Sequence, residues 1–247
     1  MAFSYLSGKE VNMIFRLFRL GRSWLIPVAL IVSNFFSCEE GAEPTANDAD
    51  THQDWIKLSI PGEREALAVF GDIERTLVVA TWYGTYFSKD SGNTWQKSPG
   101  SRSGVVGLLS ANDTLFAMHA TLTDSVGNKS ATEAQHYSLD SGQNWQVYRQ
   151  ARQHSQPMDR DTTSQGTVYE VRMNVTNNYV NPSDLLRTDG GFTSTVEVPF
   201  KHHFHEVYVD QNDRVYVAVA GDRHNPEDNT LTCCYDALLY VSKAPNP

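Results

Sequence analysis

The chain has 247 residues, with 20 Lys and Arg against 29 Asp and Glu for a formal charge of −9, and 40% of it is hydrophobic. This balance offers no cationic surplus to neutralise a phosphate backbone, so nucleic acid is excluded as an expected partner. Three cysteines are too few for a disulfide-built scaffold and match no zinc module. A hydrophobic core must hold the protein together, and no metal or cofactor is expected.

Residues 1–37 read as a signal peptide: Arg16, Arg19 and Arg22 precede an apolar run from Trp24 to Phe36, which Ser37 closes. The run has 13 residues, too short to span a bilayer. Ser37 followed by Cys38 resembles the lipobox of bacterial lipoproteins, with Phe35 and Phe36 standing where leucine and a small residue are usual. The resemblance implies cleavage before Cys38, lipidation of its thiol, and an exported protein held on the cell envelope by that anchor. Residues 38–54 are polar and acidic, have almost nothing to bury, and should form a flexible tether. The folded domain is expected to span residues 55–247.

Within that domain an octamer recurs. Ser88-Lys89-Asp90-Ser91-Gly92-Asn93-Thr94-Trp95 returns as Ser138-Leu139-Asp140-Ser141-Gly142-Gln143-Asn144-Trp145 after 50 residues. After 49 more it returns weakly as residues 187–194, with Asp189, Gly191 and Thr193 in register. Short β-rich stretches precede each copy, and helical periodicity is almost absent after residue 55. A period of this size with strands between the copies predicts an all-β array of stacked blades. The octamer itself reads as a turn: Ser88 and Asp90 hydrogen-bond its backbone, Gly92 takes a positive φ, and Trp95 packs inward as the next strand starts. Asp140, Gly142 and Trp145 repeat these roles.

The pattern Ser-x-Asp-x-Gly-x-Thr-Trp resembles the Asp box of the sialidase-like BNR-repeat families, which implies a β-propeller. Asp boxes are structural and occur in enzymes and non-enzymes alike. A fourth unit starts at His203 and ends in the strand Ala237–Val241 without a box. Two expectations compete for its outer strand. Either Trp55 and the residues after it close the ring from the N-terminal side, giving four four-stranded blades, or the chain is part of a larger propeller.

Chemistry-bearing residues concentrate at Lys201-His202-His203-Phe204-His205-Glu206. Strand alternation puts His203 and His205 on one face with Val207, and His202, Phe204 and Glu206 on the other. The stretch from His203 to Asp222 resembles a blade of BNR-repeat glycosyl-hydrolase-like proteins. That resemblance makes His203, His205, Glu206 and Asp222 the candidate ligand-binding residues. His119 and His136 read as structural, and Cys233 and Cys234 as small residues entering a strand, with a strained vicinal disulfide as the alternative. No phosphate loop, GxSxG elbow or HExxH pattern is present, and neither the paired carboxylates of a glycosidase nor the Phe-Arg-Ile-Pro signature of sialidases can be assigned. The expected function is a ligand-, glycan- or protein-binding module of the envelope, which includes assembly of an envelope complex. The alternative is a glycoside hydrolase relative acting on extracytoplasmic glycans.

Overall fold

A computed structural model describes residues 53–150, 154–176, 179–199, 201–224, 230–232 and 236–247. The signal segment, Cys38, nearly all of the tether, Cys233 and Cys234 lie outside the described residues. Among those described there is no helix.

β1 (Trp55–Ile60) is followed by β2 (Ala66–Gly71), β3 (Leu77–Thr81), β4 (Gly84–Ser88) and β5 (Gln96–Lys97). Next come β6 (Gly107–Ala111), β7 (Thr114–Thr123), β8 (Lys129–Ser138), β9 (Gln146–Val147) and β10 (Ser155–Pro157), then β11 (Arg160–Thr162), β12 (Val168–Thr176), β13 (Tyr179–Asp189) and β14 (Phe192–Val196). β15 (Phe204–Val209), β16 (Val215–Val219), the short β17 (Arg223–His224) and β18 (Leu231–Thr232), and β19 (Ala237–Ser242) complete the chain.

These strands form four antiparallel blades of a β-propeller. Blade 1 is β2-β3-β4-β5, and blade 2 is β6-β7-β8, with β9 and β10 both pairing β8. Blade 3 is β11-β12-β13-β14, and blade 4 is β15-β16-β19-β1. The fourth blade therefore takes its outer strand from the N-terminal side, Trp55 pairing with Ser242 and Ile60 with Ala237. Trp55 is buried there and Trp145 is buried just before β9, whereas Trp95, just before β5, is partly buried. The middle strands β3, β16 and β19 are buried along their whole length. Both of their faces are covered by neighbouring blades, which is why they read as unbroken apolar runs rather than alternating ones.

The octamers at 88–95 and 138–145 fold identically. Ser88 Oγ donates to Asp90 Oδ1 at 2.8 Å and accepts from Gly92 N at 2.9 Å, while Asp90 accepts from Thr94 N and Thr94 Oγ1 at 2.9 and 2.6 Å. In the second copy Ser138, Asp140 and Gly142 repeat this, and Asn144 Nδ2 replaces the threonine hydroxyl at 2.7 Å from Asp140 Oδ2. Each loop tucks under the preceding blade. A Cβ on Gly92 would lie 2.6 Å from Leu58 of blade 4, and one on Gly142 would lie 2.8 Å from Val78 of blade 1.

The third octamer departs from this design. Asp189 pairs with Phe192 across a two-residue turn, Gly190-Gly191, in which both glycines have positive φ. This is the backbone of a type I′ hairpin, so Asp189 closes a strand pair and meets Arg187 at 3.2 Å. A Cβ on either glycine would meet nothing within 4 Å, so this turn, unlike the first two, does not press its glycines against a neighbouring blade.

The apolar clusters follow the same division. One joins blades 3 and 4 through Tyr169, Leu185, Phe204 and Val217, a second joins blades 4 and 1, and a third joins blades 1 and 2. The fourth, around Phe116, Met118 and Ala131 of blade 2, receives only Met158 from the connection to blade 3. Polar contacts dominate that seam, among them Lys129 N donating to Asp159 Oδ2 at 2.8 Å and Arg160 donating to Asn128 at 2.8 Å. Amide exchange should accordingly be fastest along β10 and β11 and slowest in β3, β16 and β19. Equal protection of all four blades by exchange mass spectrometry would contradict a weak seam.

Two carboxyl groups bind the innermost strands to one another. Asp161 of β11 accepts from Val209 N of β15 at 2.7 Å, and Glu206 of β15 accepts from Val69 N of β2 at 2.7 Å. Blade 3 is thereby coupled to blade 4, and blade 4 to blade 1, through groups that a free strand edge would otherwise leave unpaired.

Candidate functional site

A β-bulge shapes the local chemistry. Between Phe204 and Glu206 the register with β16 advances by one residue instead of two, leaving His205 as the extra residue. Phe204 therefore joins Val207 and Val209 in one cluster, correcting the expectation from simple alternation that it would face the other way with Glu206. β2 bulges at the matching place, between Ala66 and Ala68.

His203 and His205 do come together, with ring centroids 4.9 Å apart in an edge contact. They line a cavity of about 290 Å³ at the end of the ring where the chain enters blades 1 and 4. The connection into blade 4 supplies Lys201, His202 and His203, and the one into blade 1 supplies Glu65. The exit from β16 adds Asp222 and His224, and blade 3 adds Asn181 and Pro182. Backbone bridges fix these segments: Glu65 pairs with Ala220, Lys201 pairs with His224, and Ala220 N donates to His203 O at 3.0 Å.

The histidines are not equivalent. His202 is buried, its Nδ1 donating to the Asp222 carbonyl at 2.8 Å and its Nε2 accepting from Tyr240 Oη at 3.1 Å, so its bonds set its tautomer and it supports the wall. His203 Nδ1 is buried without a hydrogen-bond partner. Burial pushes His203 down to about 4, with the neighbouring charges of His205 and Lys129 adding to the effect, so its ring is neutral at physiological pH. His205 Nε2 faces Glu65 Oε2 at 3.4 Å.

Glu65 is the acidic centre of the mouth. Its carboxyl is held below the usual range, first by His205 and further by Trp82, whose Nε1 donates at 2.6 Å, against the opposing effect of burial. Trp82 and Tyr83 form the two-residue turn between β3 and β4. They stand 49% and 64% exposed, and Trp82 reaches the cavity through its bond to Glu65. Sequence reasoning missed both Glu65 and Trp82, because each is a lone residue in a connection and neither belongs to a motif.

Of the sequence candidates, His203, His205 and Asp222 line the cavity and Glu206 does not. Glu206 is fully buried, with Oε2 on Val69 N and Oε1 unpaired. Burial drives its carboxyl well above the usual range, and the charge of Asp161 adds to this. His119 and His136 lie elsewhere and pair with each other, His136 Nδ1 being 3.2 Å from His119 Nε2. Burial lowers His119 to about 4, and the charge of His136 lowers it further. Among the described residues no group of three or more His, Cys, Asp or Glu side chains is arranged to hold a metal ion.

No family model and no curated protein matches the chain. The solved structures loosely similar to it include two of low identity. One, described as "YCF48 bound to D1 peptide", is 9% identical, with a TM-score of 0.31 over 78% of this chain and 97% of the other. The second is a protein of unknown function from Dyadobacter fermentans DSM 18053, 15% identical, with a TM-score of 0.25 over 71% of this chain and 70% of its own. At such TM-scores neither likeness assigns a ligand or a residue role.

Proposed function

We propose that this protein is an exported, lipid-anchored binding module of the bacterial cell envelope, holding a sugar residue of an extracytoplasmic glycan in the cavity around His203, His205 and Glu65. The observation that carries this reading is the combination of neutral, unsatisfied imidazole nitrogen and an ionised carboxylate in a cavity of about 290 Å³. Hydroxyl groups both donate and accept, so they complement such a set, and the size suits a single ring. Trp82, bonded to Glu65 and half exposed, offers a flat apolar face with a polar edge to the rest of the glycan. The lipoprotein part of the proposal rests on Arg16, Arg19, Arg22, the apolar run and Cys38.

A hydrolase reading draws less support. A glycosidase needs one protonated carboxyl facing the scissile bond. Among the described residues, the two carboxyls raised by burial, Asp161 and Glu206, instead accept backbone hydrogen bonds from Val209 and Val69 and do not line the cavity.

Titration calorimetry against a panel of neutral mono- and disaccharides tests the proposal. His203→Ala and Trp82→Ala should each weaken the best binder by about tenfold, the effect of losing one good contact. If no sugar binds the wild type at millimolar concentration, the glycan assignment fails. Intact mass of the protein expressed with its own leader tests the anchor separately, and an unmodified Cys38 would end that part of the proposal.

A further inference from the structure

The outer strands of the four blades differ in what they leave open. β5 and β9 are two residues long. β14 has five residues, Phe192-Thr193-Ser194-Thr195-Val196, of which the first four are exposed. It pairs only with β13, contains no charge, proline or bulge, and carries the most exposed large apolar side chain among the described residues, Phe192 at 85%. Natural sheet edges of this length are normally protected by such devices.

Hairpin geometry determines which backbone groups are free. Asp189 and Phe192 close a two-residue turn and so form a hydrogen-bonded pair. Alternation then directs the N–H and C=O of Phe192, Ser194 and Val196 toward β13, and those of Thr193 and Thr195 toward the open edge. Two contacts agree with this parity. Thr188 and Thr193 face each other as a close, non-hydrogen-bonded pair with their Oγ1 atoms 2.9 Å apart, and the next outward carbonyl, that of Glu197, accepts Trp55 Nε1 at 2.8 Å.

We propose that β14 pairs antiparallel with β14 of a second copy, about a two-fold axis through Ser194. The sequence Phe-Thr-Ser-Thr-Val is nearly its own reverse, and a two-fold interface requires this self-complementarity. Thr193 falls opposite Thr195 of the second copy with both exchanging N–H···O bonds, four in all from the two symmetric pairs. Ser194 faces Ser194, and Phe192 lies over Val196, covering the exposed ring. Thr–Thr and aromatic–β-branched pairs are favourable across strands, and no like charges meet within the segment. The pairing stops short of Glu197, whose outward carbonyl Trp55 Nε1 already occupies.

Sedimentation velocity of the purified full chain over a concentration series tests this, with a thermal melt of each variant to establish that it folds. The wild type should dimerise. Ser194→Lys and Ser194→Glu, both at an exposed position, should each weaken self-association at least tenfold, and an equimolar mixture of the two should restore dimers. Ser194→Cys should give a reducible dimer under mild oxidation. A wild type that stays monomeric at high concentration overturns the proposal, as does a dimer indifferent to Ser194→Lys. A monomer that captures a foreign extended peptide along β14 would assign the edge to another chain and likewise overturn self-pairing.

Discussion

Replacing Glu206 by glutamine is expected to make the protein progressively more stable than the wild type as pH rises from about 5. In the wild type the carboxyl is fully buried, Oε1 has no partner, and burial, with the charge of Asp161 from β11 added to it, outweighs the Val69 N–H bond that favours the charged form. Its folded value therefore lies well above the unfolded 4.5. A carboxyl raised in this way contributes its full stability below the unfolded value and loses it as pH climbs toward the folded one. The loss runs at about 1.4 kcal/mol per pH unit across that window. Glutamine keeps an acceptor for Val69 N–H and does not titrate, so the stability difference between variant and wild type isolates this one group from His119, His203 and the acids titrating elsewhere. Urea unfolding at intervals from pH 5 to 9 measures it. A difference that stays flat across the range would mean that Glu206 is charged in the fold, and the account of the inner strands would fall with it.

The second large effect is at the blade contacts. Gly142→Ala should destabilise by about 2–3 kcal/mol, combining the strain of positive φ with overpacking against Val78. Gly92→Ala should cost a similar amount, since Leu58 blocks its Cβ as Val78 blocks that of Gly142, and the two losses should nearly add because they load different blade pairs. Gly191→Ala is the control: its φ of 86° is as unfavourable, but no atom lies within 4 Å, so only the backbone strain of about 1 kcal/mol is expected. Equal losses at Gly142 and Gly191 by chemical denaturation would show that the loops carry no steric contact between blades.

The same glycines explain what the sequence could and could not reveal. Ser88, Asp90 and Thr94 satisfy one another inside a single loop, so their pattern is visible without knowing the rest of the fold. Asp189 and Gly191 keep the spacing but not the structure. Ser91-Gly92 and Ser141-Gly142 take the same positive-φ turn as Gly190-Gly191, so what differs is the flanking chain: β13 and β14 pair right up to Asp189 and Phe192, and no loop is left for Asp189 to organise. The pair His203 and His205 was legible from spacing alone. The face of Phe204 was not, because a bulge is defined by the partner strand, and β16 lies on the far side of a turn. Glu65 and Trp82 meet only because blade 4 delivers the chain to blade 1 beside the β3–β4 turn, a juxtaposition no local pattern encodes.

The pairing of β1 with β19 also sets an order in time. β1 emerges from the ribosome first of the described strands, yet its partner is ~180 residues away, among the most non-local contacts a chain of this size can make. At ~5–20 residues per second, Trp55, Leu58 and Ile60 wait on the order of 10–40 s for the surface that buries them. Throughout that interval the nascent chain presents an apolar strand with both edges open, followed by blades that can already fold. Of the described strands, β19 comes latest and conceals the earliest, so any pause in synthesis before Ala237 prolongs the period in which this protein is most exposed to chaperones, proteases and its own neighbours.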